Sequence, residues 1–218
     1  MSEPLPLMKG LPRAKIPTGE PLVLASGSPR RAELLRAAGY DFEVCPAADT
    51  AECGVPYKET AVEMVARLAF QKAVDVVRRR KRSFILAADT LAACGDRILG
   101  KPKDRDDAES MLRLLSGQKH EVFTGVCVWS TGTDQCYVDV VRSRLQMSRL
   151  DNEEIEEYLD GGKWQGKAGG FGYQDDNDWI EIVENDSESN VVGLPMERFA
   201  EILENFAKLA DKVQKEVR

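Results

Sequence analysis

The sequence holds one histidine in 218 residues, His120, which heads an apolar run after Gly117 with no evident nucleophile partner. A Ser/His triad is therefore set aside, and His120 is read as structural. Cysteine is sparse and unpatterned: Cys45, Cys53, Cys94, Cys127 and Cys136 are odd in number, fall on separate elements and form no C-x-x-C pair. That argues against zinc and dithiol motifs and suits a reduced, cytoplasmic chain. No segment approaches the roughly 18 consecutive apolar residues of a membrane span. The first twenty residues carry Pro4, Pro6, Pro12 and Pro17 but no apolar run. Residues 1–20 thus read as an extended lead-in, not a signal peptide. Internal repeats and low-complexity segments are also missing. Positive charge is the minority sign, with 30 Lys and Arg against 37 Asp and Glu and a net charge of −7. Nucleic acid is a poor partner for such a chain, since duplex binding rests on phosphate neutralisation. Any basic site has to be local.

What is present is a 43% hydrophobic content, enough to build one domain over residues 21–218. Leu22 to Ala25 is a short apolar strand, and Ser28 then caps a helix opened by Pro29 and closed by Gly39. Thr60 and Glu63 have capping-box spacing, followed at helical intervals by Val62, Val65, Ala69, Ala73 and Val76. The spacing predicts a helix to about Arg80. Phe84 to Ala88 reads as a compact strand, and Leu91 to Leu99 as a hairpin turned at Gly95-Asp96. Asp104 caps a third helix with Ala108, Met111, Leu112 and Leu115 on one face, ended by Gly117. Long strands follow over Val122–Trp129 and Tyr137–Met147, then a short helix capped by Asp151 and Glu154, a glycine-dense loop, a polar stretch Asp175–Asn190 and a helix from Pro195. Alternating helices and strands predict an α/β or α+β domain on one mixed sheet.

The stretch "LASGSPRR", Leu24 to Arg31, places two arginines in the first turn of a helix. The helix dipole disfavours cations there, so an anion is a natural occupant. A strand feeding a Gly/Ser turn into a helix N-terminus aims backbone amides at one spot, as phosphate sites do, and Arg30 and Arg31 add charge-assisted donors. A capped helix with solvated arginines accounts for this stretch equally well. Lys72 lies on the apolar side of the second helix, so it answers a carboxylate, reaches a ligand or snorkels outward. Asp89 follows the strand Phe84–Ala88, where α/β sheets collect ligands; a turn aspartate is the plainer alternative. Gly100-Lys101-Pro102 and Lys167–Gln174 are further loops that allow close backbone approach. The run Arg78–Arg82 sits at a helix C-terminus, where positive charge is favoured without any ligand.

Taken together, "SGSPRR", "RLAFQKA", "AADT", "GKP", "LSGQKHEVFTG", "KAGGFGYQ" and "NVVGLP" occur in one order between about Leu22 and Leu203. In that order the chain resembles the Maf (septum formation inhibitor-like) family of nucleoside triphosphate pyrophosphatases. The resemblance implies a mixed sheet with flanking helices, in two lobes around a nucleotide-binding cleft, as in Maf and ITPase-like folds. It implies hydrolysis of a nucleoside triphosphate to monophosphate and pyrophosphate, a divalent cation (Mg²⁺ or Mn²⁺), and a homodimer. Carried over by motif, Ser28, Arg30 and Arg31 match the phosphate-facing turn, Lys72 the helix lysine, Asp89 the proton acceptor and a metal ligand, and Lys101 the second lysine. Glu52 is the looser match for the metal-associated carboxylate. The family branch acting on dTTP and UTP carries Arg, Thr and Gln at its specificity positions, matched here by Arg30, Thr90 and Gln174; the branch acting on 7-methyl-GTP carries Trp, Gln and Glu. Three departures cluster near the expected base pocket: Gly166 in place of an Asp, Tyr173 in place of a smaller aliphatic, and Asp175-Asp176 in place of small residues. A pyrophosphatase for other non-canonical nucleotides and a non-catalytic nucleotide-binding regulator of cell division are the rival expectations.

Overall fold

The computed structural model describes residues 10–48, 59–175, 177–184 and 187–216, with side chains to residue 208 of the last helix. The elements in chain order are β1 (Leu22–Leu24), α1 (Pro29–Ala37), β2 (Phe42–Val44), α2 (Ala61–Val77), β3 (Phe84–Cys94), β4 (Arg97–Leu99), α3 (Arg105–Leu115), β5 (Lys119–Ser130), β6 (Gln135–Met147), α4 (Asn152–Asp160), β7 (Ile180–Glu184), α5 (Glu188–Val192) and α6 (Met196–Glu216). Local signals explain the helix starts. Thr60 and Asp151 both close full capping boxes with Glu63 and Glu154, and Asp104 accepts from the Asp107 amide at 2.9 Å. Each such cap contributes about 1 kcal/mol by satisfying amides that lack a partner inside the helix.

The strands form one mixed sheet in the order β2-β1-β3-β5-β6-β7, with β4 folded back onto β3. β1 runs parallel to both β2 and β3, and the remaining pairs are antiparallel. The apolar run Phe84–Ala88 is buried on both faces, as a central strand requires. Phe84, Leu86 and Ala88 pack with α1 and α6, through Leu34, Leu35, Phe199 and Phe206. Ile85 and Ala87 point the other way, onto Ala69, Ala73 and Val76 of α2. A further core joins α3 and α4 to the sheet through Leu112, Leu115, Leu145, Met147 and Ile155.

Several expectations need correction. Asp89 does not end its strand: β3 continues to Cys94 because β5 pairs with it from Phe84 to Ala93. Val62, expected on the buried stripe of α2, is 46% exposed. The polar stretch after Asp175 contains β7 and α5, too short and too mixed in polarity to be read from periodicity. Within the lead-in, residues 10–20 form no helix or strand but are tied to the fold. Tyr40 accepts from the Ala14 amide at 2.9 Å, and Glu20 accepts from the Ser130 hydroxyl at 2.6 Å and the Gly132 amide at 2.8 Å. Among the described residues no helix is long and apolar enough to cross a membrane.

Candidate active site

The cleft opens where one edge of β3 loses its neighbours. β1 covers that edge as far as Leu86 and β4 resumes at Ala92, so Ala87–Leu91 has no strand on that side among the described residues. Side chains alternate across a strand, and Asp89 and Thr90 therefore leave β3 on opposite faces. Thr90 meets α1 and the α5 turn, and Asp89 meets α2.

Asp89 is paired with Lys72: the ammonium donates to Oδ1, and the two side chains are 13% and 14% exposed. Seventeen residues of sequence separate them, and the contact depends on Gly125, the β5 residue directly opposite Asp89 in the register. A Cβ on Gly125 would stand 2.2 Å from the Val65 carbonyl oxygen. Only a residue without a side chain lets the α2 backbone lie this close to the sheet, and so lets Lys72 reach Asp89. The lysine answers a carboxylate, one of the alternatives its place on the apolar stripe left open. Among the described residues, Asp89 Oδ2 takes no hydrogen bond.

The opposite side of the cleft is the strand-turn-helix at β1–α1. Ser28 has the extended backbone of an N-cap, yet its hydroxyl caps no amide, so it remains available in the cleft it lines. Arg30 donates from Nη2 to the Gly166 carbonyl at 2.9 Å, joining α1 to the glycine-rich loop. Arg31 is more committed. It is buried, and its Nε, Nη1 and Nη2 donate to the Gly193 carbonyl at 2.7 Å, the Ser26 hydroxyl at 2.9 Å and the Thr90 hydroxyl at 3.0 Å. Thr90 is held in turn by Thr124 at 3.0 Å. Lys101 lines the cleft from an exposed position after β4, where the Gly100 carbonyl accepts from the Gly169 amide at 2.9 Å.

Residues 166–175 close the cleft. Gln174 lines it, and its buried Nε2 has no acceptor among the described residues. Buried donors are nearly always satisfied, so this amide is suited to an acceptor on a ligand. Lys167 and Asp175, neither predicted as a site residue, form a second ion pair whose side chains are 13% and 10% exposed. Asp175 also accepts from the Tyr158 hydroxyl. Burial pulls the Lys167 ammonium below its ordinary pKa, and Asp175 pulls it back up. Burial and the same carboxylate hold the Tyr158 phenol well above its usual value. Tyr173 donates to Glu188 at 2.9 Å, and its phenol, too, is pushed up to about 12 by burial.

The structure thus gathers Ser28, Arg30, Arg31, Lys72, Thr90, Lys101 and Gln174 around one cleft of about 430 Å³, with Asp89 at its wall through Lys72. Glu52 lies outside the described residues, as does Asp176. Counting Lys167, Asp89 and Asp175, five cations face two carboxylates among the described residues of the cleft, in a chain of net charge −7. His120 lies outside the cleft, buried edge-on against Phe171 at 5.1 Å between ring centroids. Both of its nitrogens lack hydrogen-bond partners among the described residues, and burial lowers its pKa to about 4. The basic run at the end of α2 is a surface feature, with Arg79 paired to Asp75 and Arg80 to Glu43.

The family model for Maf-like proteins matches residues 21–206. The chain belongs to the Maf-like family. Its relatives include the dTTP/UTP pyrophosphatase of Rhodopirellula baltica, 62% identical over 94% of this chain and 93% of the relative. The dTTP/UTP pyrophosphatase of Geotalea uraniireducens is 45% identical over 80% of this chain and 89% of its own length. That of Chelativorans sp. is 38% identical over 84% of this chain and 89% of the relative. Residues of the SGSPRR, GKP and KAGGFGYQ motifs line the cleft of this Maf-like chain.

Proposed function

We propose that this Maf-like chain hydrolyses dTTP and UTP to the monophosphate and pyrophosphate. The observation that carries the proposal is that, among the described residues, a cluster of cations faces a half-engaged carboxylate, Asp89, at the unpaired edge of β3. The names of the relatives supply the nucleotide. Arg30, Thr90 and the unpartnered Gln174 supply donors beside the same cleft for a pyrimidine to meet.

In this reading water attacks the α-phosphorus, Asp89 accepts its proton through the oxygen that Lys72 leaves open, and pyrophosphate departs. Lys72 orients that carboxylate. Arg30, Lys101 and the first-turn amides of α1 take the charge of the triphosphate, while Arg31 fixes the Thr90 and Ser26 hydroxyls. Positioning and electrostatics dominate phosphoryl chemistry of this kind. Among the described residues no three His, Cys, Asp or Glu side chains form a protein-only metal cage. Mg²⁺ is ordinarily held by one or two carboxylates together with substrate phosphates. The open oxygen of Asp89 fits that pattern, and Glu52 would be the second carboxylate. When bound, such an ion would neutralise phosphate charge and lower the pKa of water.

A panel of nucleoside triphosphates, scored for pyrophosphate release in Mg²⁺, tests the proposal. dTTP and UTP should lead the panel. Preference for a non-canonical purine would move the chain to the neighbouring reading of nucleotide clearance. Tight binding of dTTP without any monophosphate would favour the regulator of cell division instead.

A further inference from the structure

The chemistry above leaves Lys167 and its partners unused, although Lys167 and Asp175 line the cleft. Asp175 is fully engaged: Oδ1 accepts from Lys167, Oδ2 from the Tyr158 hydroxyl, and its backbone carbonyl from Lys163 at 3.3 Å. Lys167 is not. An ammonium carries three donors, and among the described residues Asp175 accepts from it once, leaving two for something in the cleft. Space has been kept for this pair, since a Cβ at Gly172 would stand 2.5 Å from Asp175 Oδ2 and 2.6 Å from Lys167 Nζ. The segment is also tied to the phosphate-facing helix, through the bond from Arg30 to the Gly166 carbonyl.

We infer that Lys167 is a further substrate-binding cation, which contacts the polyphosphate, and that Asp175, anchored by Tyr158, is the positioning residue that aims it. The inference rests on the triphosphate reading of the cleft. It gives Asp175, one of the departures from the family pattern, a role that its neighbours explain. Among the described residues, the charged groups about Lys167 are Asp175, Arg30 and Lys163. Burial and the two cations weaken the ammonium, and Asp175 sustains its charge.

The test is calorimetric binding of inorganic tripolyphosphate in Mg²⁺ to the full chain and its variants. Lys167→Met should weaken binding by about ten- to hundredfold, as expected for a lost charge-assisted hydrogen bond, and Lys167→Arg should restore most of it. Asp175→Asn should weaken binding by a smaller factor and move its loss at alkaline pH to lower pH, because the ammonium no longer has its counter-ion. A role confined to holding the loop would not move that pH midpoint. The double variant Lys167→Met/Asp175→Asn removes both charges together and should bind as weakly as Lys167→Met. Recovery of binding in the double variant would overturn the contact, by tracing the single loss to an orphaned Asp175. Wild-type affinity in Lys167→Met, or no tripolyphosphate binding by the wild type, would also overturn it. Tighter binding by Asp175→Asn would overturn the positioning role and make Asp175 a competitor of phosphate. If tripolyphosphate binds through Lys167 but no triphosphate releases pyrophosphate, this inference stands while the proposed activity falls.

Discussion

The cleft is built from two lysine–aspartate pairs of nearly equal burial. Lys72–Asp89 joins a helix to the central strand, and Lys167–Asp175 lies within a single loop. They differ in what the carboxylate has left over. Asp89 gives one oxygen to Lys72 and keeps the other, whereas Asp175 spends both, on Lys167 and Tyr158. An aspartate with a free oxygen can take a proton or a metal; one without can only orient its partner. Burial does not distinguish the two carboxylates, but hydrogen-bond occupancy does, and the proposed roles follow from it.

The comparison breaks first at the carboxylates. Asp89→Asn should lower kcat for dTTP by about 10²- to 10⁴-fold, the usual worth of a general base, with the fold intact by circular dichroism. Asp175→Asn should act mainly on KM. Equal losses of kcat in both variants would erase the distinction. The second wedge is Gly125→Ala, which sets a methyl group against the Val65 carbonyl. Moving α2 to relieve the clash should cost about 1–3 kcal/mol in urea unfolding and lower kcat, because Lys72 is displaced from Asp89. Gly172→Ala crowds flexible side-chain ends instead. It should displace the Lys167–Asp175 pair and raise KM, at a smaller cost in stability than Gly125→Ala, whose clash is with backbone.

A smaller effect sharpens the contrast between the paired ions and a buried base that has no partner. His120 is held neutral in the fold, its pKa near 4 against an ordinary 6.5. A depressed folded value means that its contribution is complete above about pH 6.5 and is lost as pH falls toward 4, by about 3 kcal/mol in all. His120→Phe should remove that part of the acid sensitivity. Urea unfolding of both proteins between pH 7 and 4.5 would show it as a steeper loss of stability in the wild type than in the variant, and parallel curves would deny it.

Much of this arrangement is legible in the sequence because its signals are local. The Thr60, Asp104 and Asp151 caps and the Gly/Ser turn before Pro29 are set within a few residues, and the structure places those helices where they predict. The true length of β3 is not local: it is imposed by β5, so Asp89 moves from a strand end to a strand interior beside a gap. β2, β7 and α5 span three to five residues each, too few for periodicity to register. Lys72 stands out in the sequence as a lysine on an apolar stripe, but its dependence on Gly125 appears only once strands are in register. The Lys167–Asp175 pair depends on loop conformation, for which sequence spacing carries little information; Asp175 registered only as a departure from pattern.

In the proposed reaction this cleft directs water to the α-phosphorus of a pyrimidine triphosphate. Hydrolysis of dTTP with Mg²⁺ in oxygen-18 water, followed by mass spectrometry of the products, tests it directly. Attack at the α-phosphorus puts one labelled oxygen in the monophosphate and none in pyrophosphate. Label in the pyrophosphate, or release of inorganic phosphate in its place, would contradict it.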